Sequence, residues 1–163
     1  MLLRKIFIFT AACVLLILPA KEIVAQDKPV QLSLFSPIQI FSENTSITGL
    51  RISLIYGNNA RVSGLDWGLV HVTSEASVGV QFGLVGIVET DYAGWQSNFI
   101  NSTKGRFEGL QWGFYNSAGT VSGVQIGFVN YAANMTKGLQ IGLVNIINHG
   151  GQFPVFPIVN WAF

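Results

Sequence analysis

Gly123-Val-Gln-Ile-Gly-Phe-Val-Asn130 and Gly138-Leu-Gln-Ile-Gly-Leu-Val-Asn145 are one phrase written twice, 15 residues apart. The phrase Gly-x-Gln-x-Gly-x-x-Asn opens at Gly49, Gly64, Gly79, Gly94, Gly109, Gly123 and Gly138, and a degenerate last copy runs from Phe153 to Asn160. Only the step from Gly109 to Gly123 is 14. Self-similarity at a fixed period means that one supersecondary element is reused, each copy burying its face against its neighbours. With the opening glycine as position zero, positions +1, +3 and +5 hold Leu139, Ile141, Leu143, then Leu110, Trp112, Phe114, then Leu65, Trp67, Leu69. Glycine and glutamine fill the places between. Period two with β-branched and aromatic residues on one face marks strands. Turn formers separate them at Asn58-Asn59, Ser117-Ala118-Gly119, Asn134-Met135 and His149-Gly150-Gly151. The chain is expected to be all-β, with Val30 to Phe41 and Ile47 to Tyr56 as earlier, less regular strands.

The N-terminus reads as a leader. Arg4 and Lys5 precede the apolar run Ile6 to Leu18, and Pro19 and Ala25 follow, which predicts a signal peptide over 1–25 and a single β-repeat domain over 26–163. Cys13, the chain's one cysteine, falls inside the apolar run, so the exported part is expected to have neither disulfides nor thiolate chemistry. Charged residues are 10% of the chain against about 25% in an ordinary soluble domain, and the net charge is +1. Near-neutrality offers no electrostatic grip on nucleic acid. So sparse a charged surface is expected to face lipid or other copies of itself.

Two architectures accommodate the repeat. An antiparallel meander of 8–9 short strands closed as a small outer-membrane barrel suits the strand length of Val121 to Ala132 and the aromatic terminus Asn160-Trp161-Ala162-Phe163. Outer-membrane lipid and the insertion machinery are its implied partners. A β-solenoid instead stacks equal positions about 4.8 Å apart, so that the repeated Gln and Asn form hydrogen-bonded ladders. The barrel is the first expectation because, in a solenoid, stretches like Tyr131 to Lys137 supply no regular apolar face to cover Leu139, Ile141 and Leu143. If the chain turns at Asn134-Met135, antiparallel pairing sets Val129 opposite Gln140, whereas a solenoid sets Gln125 on Gln140.

The units at Gly123 and Gly138, with the opening Gln31-Leu-Ser-Leu-Phe-Ser-Pro-Ile38 and the closing Pro154-Val-Phe-Pro-Ile-Val-Asn-Trp161, resemble a family of bacterial surface-repeat proteins of Gram-negative and spirochaete-type envelopes. The resemblance implies an exported, outer-membrane or cell-surface protein with a structural role and no enzymatic activity. Gly94-Trp-Gln-Ser-Asn-Phe-Ile-Asn101 departs from the pattern at Ser97 and Asn98.

No residue set specifies a reaction, and no catalytic, cofactor-binding or metal site is expected. His71 takes the place of a +7 asparagine and His149 sits in a turn, each read as structural and without a partner at ligand spacing. Arg51 and Asp66 occupy the +2 place of adjacent units and predict a cross-strand ion pair. Glu75, Glu89, Asp91 and Glu108 fall at or near turns, as solvated charge does. Asn44, Asn101 and Asn134 match glycosylation sequons, which in a chain of bacterial character are read as chance. A surface-exposed solenoid that binds a protein or polysaccharide is the alternative functional expectation.

Overall fold

The computed structural model describes residues 27–163, and the leader expected over 1–25 lies outside the described residues. Nine strands follow in order: β1 (Lys28–Phe35), β2 (Ile38–Gln39), β3 (Ile47–Asn59), β4 (Val62–Thr73), β5 (Ser77–Val88), β6 (Tyr92–Trp112), β7 (Tyr115–Ile126), β8 (Val129–His149) and β9 (Val155–Ala162). They form one sheet in the spatial order β2-β1-β3-β4-β5-β6-β7-β8-β9. The all-β expectation is met; the antiparallel meander and the barrel are not.

From β3 to β8 each strand pairs with the next in parallel, and the register equals the sequence repeat. Gly64 lies beside Gly79, Gln81 beside Gln96, and Gln125 beside Gln140, so Val129 does not face Gln140. Each unit is therefore one coil of a β-solenoid. Asn134-Met135, read as a turn from composition, lies inside β8 and stacks on Thr120 and Val121. The 14-residue step is taken up at a corner, where Gly119 stands alone opposite Lys104-Gly105, and register returns to 15 between Met135 and Lys137.

The objection to a solenoid rested on the assumption that its apolar rows would face inward. The residues at +1, +3 and +5 point outward, and the glycines and amides point in: Gln81, Gln96, Gln111, Gln125 and Gln140 are buried, while Trp67, Phe99, Trp112, Phe114 and Leu143 are exposed. Nothing has to cover Leu139, Ile141 and Leu143 from within. The coil interior has a polar end and an apolar end. Val88, Tyr92, Phe107, Ala118, Val121, Ala132, Met135 and Ile147 make the apolar end, where bulky Phe107 and Met135 are accommodated by the small Ala118 and Ala132. Tyr92 and Phe107 stack there with ring centroids 6.1 Å apart.

The opening glycines hold a conformation that only glycine tolerates. Gly79 has φ 133°, and a Cβ placed on it would overlap the carbonyl oxygen of Gly64 in the preceding coil. The same φ region recurs at each opening glycine from Gly49 to Gly138.

Both ends of the stack are closed by reversal of direction. β2 pairs antiparallel with β1, and β9 pairs antiparallel with β8, with Gln140 opposite Asn160 and Leu139 opposite Trp161. Phe153 to Asn160, read as a last repeat, is thus a returning cap and not a coil. Pro157 fits β9 because β9 is an edge strand with no further neighbour to receive its missing donor.

Candidate functional site

Two features stand out: a polar column through the interior and an apolar face outside it. The +2 column runs Gln31, Arg51, Asp66, Gln81, Gln96, Gln111, Gln125, Gln140, all buried. Each glutamine amide donates to the coil before it: Gln140 to Gln125 at 2.7 Å, Gln125 to Gln111 at 2.7 Å, Gln111 to Gln96 at 2.8 Å and Gln96 to Gln81 at 3.2 Å. Gln81 then donates to Asp66 Oδ2 at 2.9 Å. The ladder ends on an anion.

Asp66 also receives Arg51 through Nε at 2.7 Å and Nη2 at 2.6 Å, and His71 Nδ1 at 2.9 Å. Burial by itself would raise the Asp66 carboxyl, but the charge of Arg51 and the hydrogen bonds from His71 and Arg51 outweigh it and hold the group well below the usual carboxylate range. Burial likewise pushes the Tyr92 phenol upward, with the Asp66 charge adding to the effect. His71 Nε2 faces the carbonyl oxygens of Phe82 at 2.9 Å and Gly68 at 3.1 Å. The Arg51–Asp66 pair is the cross-strand ion pair expected from the repeat. His71, expected to have no partner, is its third member; its separation of five residues from Asp66 concealed a contact made across the interior of the coil.

A second ladder occupies +7 and runs the other way. Asn101 donates to Asn116, Asn116 to Asn130 and Asn130 to Asn145, each at 2.8 Å. One coil breaks the series with Gly86, where any Cβ would overlap the Gln81 Oε1 and Asn98 Nδ2 atoms. Asn98, the departure at +4 of the next unit, fills that space: its amide donates to Gln81 Oε1 at 3.0 Å and to Asn101 Oδ1 at 2.7 Å. An irregular residue in one repeat answers a missing side chain in the previous one. The signal was present in the sequence as Gly86 at +7 followed by Asn98 at +4, but it has meaning only when coils stack.

Outside this column the +1 and +3 residues form rows along the whole stack. The +3 row reads Leu32, Ile52, Trp67, Phe82, Ser97, Trp112, Ile126, Ile141, and Val159 of β9 extends it. At +5 the corner carries Phe99, Phe114 and Phe128, stacked with centroids 5.0 and 4.9 Å apart. From Gly49 to Asn145 these three rows carry no charge, and Ser97 is their one polar side chain. Charge lies outside these rows: Lys104 pairs with Glu89, and Arg106 stands with Asp91 and Glu108 at the border of the +1 row. The exterior is amphipathic along its full length. Sequence reasoning found the rows and assigned them to lipid around a barrel.

The remaining candidates do not converge. His149 ends β8, and among the described residues no group of three or more His, Cys, Asp or Glu is placed to hold a metal. Asn101 of the second sequon is buried in its ladder, whereas Asn44 is exposed. Among the described residues no helix is long and apolar enough to cross a membrane. No known family, characterised protein or solved structure matches the chain.

Proposed function

We propose that this protein is a non-enzymatic binding module, exported to the bacterial envelope and presented at the cell surface, whose working part is the apolar outer face. The observation that carries the reading is that face itself: uncharged rows of Leu, Ile, Phe and Trp, roughly half exposed, on a scaffold whose interior amides are tied to one another. A monomer seldom leaves a contiguous apolar patch of more than a few hundred Å² against water. The stacked coils hold every side chain on the face at a fixed spacing, which suits docking without rearrangement. Membership of the surface-repeat family and export through the 1–25 leader belong to the same proposal, and they rest on the Gly-x-Gln-x-Gly-x-x-Asn units and on the charge pattern of the N-terminus.

Fractionation of the native host, with a urea wash of the envelope, tests it. The wild-type chain should be found with the envelope and be released by urea. Trp112→Asp, which places a charge on the face, should shift most of the protein to the soluble fraction. Cytoplasmic recovery of wild type, or equal envelope retention of the variant, would remove the reading.

A further inference from the structure

We infer that the apolar face is covered by a second copy of this chain, packed face to face. The inference rests on the proposed role of that face as a docking surface and names its occupant.

Three observations favour a copy. The first is periodicity. The rows at +1, +3 and +5 repeat at the strand spacing, about 4.8 Å, from β1 to β9. A partner surface must have the same repeat for ridges and grooves to stay in step over nine strands. A second solenoid has that repeat by construction.

The second is area. Twelve residues of the three rows between Gly49 and Asn145, Trp67, Phe99 and Trp112 among them, are 36–55% exposed, and with roughly 150–250 Å² for each aromatic side chain they leave on the order of 1,000 Å² of apolar surface. A standard specific interface covers about 800 Å² per partner. The face is large enough for a stable dimer.

The third is charge. Like-charge repulsion between two such faces is small, because none of the three rows carries a charge between Gly49 and Asn145 and the row just before them carries one of each sign, Glu108 and Lys137. A lipid surface would receive less help. Binding at a membrane interface draws on apolar area and on cationic residues at its rim. Here the rim beside the +1 row carries both signs, with Arg106 next to Asp91 and Glu108 and with Lys137 next to Leu139, so its cations are offset by carboxylates. A polysaccharide is favoured less again, since Phe99, Phe114 and Phe128 stack on one another and turn edges outward where a sugar ring would need a ring face.

The tryptophans report on the proposal directly. Trp67, Trp95 and Trp112 are 54%, 39% and 55% exposed in the single chain, and Trp161 lies on the same side through its pairing with Leu139. In a face-to-face dimer all four become shielded.

The test uses the full chain, exported and then released from the envelope by urea and returned to detergent-free buffer. Sedimentation velocity should give a dimer. Its tryptophan emission should resist acrylamide quenching at high concentration and move to longer wavelength on dilution. Trp112→Asp should raise the dimer dissociation constant at least about thirtyfold, as loss of a central aromatic anchor does, while Lys104→Glu outside the rows should leave it unchanged. A wild-type monomer with quenchable tryptophan at every concentration overturns the inference, as does a dimer indifferent to Trp112→Asp. If Trp112→Asp fails to fold, the wild-type dilution series decides alone. Vesicles of phosphatidylethanolamine and phosphatidylglycerol serve as the competing partner, and a monomer that binds them overturns the copy in favour of lipid. A monomer that still leaves the envelope on Trp112→Asp substitution sinks this inference and keeps the docking function; a variant retained like wild type sinks both.

Discussion

Asp66 is the residue on which the polar column depends, since Arg51, His71 and Gln81 all bond to it inside the coil. Removing one partner of a buried ion pair leaves the other charge uncompensated, which costs about 3–5 kcal/mol. Asp66→Asn should therefore lower the unfolding free energy by about that amount in urea titration at pH 7. Because the folded carboxyl is held below its ordinary value, its contribution is present above that value and lost as the pH falls. Thermal stability of the wild type should hold from pH 7 to about 5 and decline below about 4, and the decline should be shallower in Asp66→Asn. Gly86 and Asn98 make a sharper test at the same scale. Gly86→Asn alone overfills the coil, and Asn98→Gly alone takes from Asn101 Oδ1 its donor and from Gln81 Oε1 one of its two, but together they restore the repeat. The double variant should be more stable than the sum of the two single changes by at least about 1 kcal/mol, measured by urea unfolding. Additive losses would show that Asn98 does not answer Gly86.

Among the elements, β9 decides whether the stack ends or continues. Every coil offers its backbone edge to the next, and an unpaired edge invites another chain. β9 covers the edge of β8 in the opposite direction, and its own outer edge is blunted by Pro157 and by Ile158, whose φ of 72° distorts the strand where its register with β8 shifts. Truncation after Pro154 should expose the β8 edge from Gly138 to Ile146 and produce concentration-dependent fibrous aggregates, read by light scattering and thioflavin fluorescence. A truncated chain that stays dispersed would mean that β9 is not the stop. The element scale is also where sequence and structure part. Strand content, the extent of each unit and the Arg51–Asp66 pairing were legible, because period two and fixed offsets are local properties. The direction of pairing was not, because loops of compatible length exist for either arrangement. The deciding clue lay in the amides: identical Gln and Asn at equal offsets can bond one another only if coils stack in register, as Gln111, Gln125 and Gln140 do. The assumption that a solenoid must bury its apolar row overrode that clue.

In the molecule as a whole, polar ladders build the inside and the apolar rows lie outside. This reverses the usual distribution along one side of the solenoid, and it explains how a chain that is 50% hydrophobic leaves so many large side chains exposed. The outward placement of the proposed docking face follows from parallel, in-register stacking of the coils. Engineered disulfides measure that stacking directly, in a background where Cys13 is replaced by serine. Val124 and Leu139 are register partners of adjacent coils and point to the same side, so Val124→Cys with Leu139→Cys should close a bond that needs Cα atoms within about 7 Å. Val129→Cys with Gln140→Cys, partners only in an antiparallel meander turning at Asn134-Met135, should stay reduced. Closure of the Val129–Gln140 pair and not of the Val124–Leu139 pair would contradict the solenoid and, with it, the outward assignment of the apolar face.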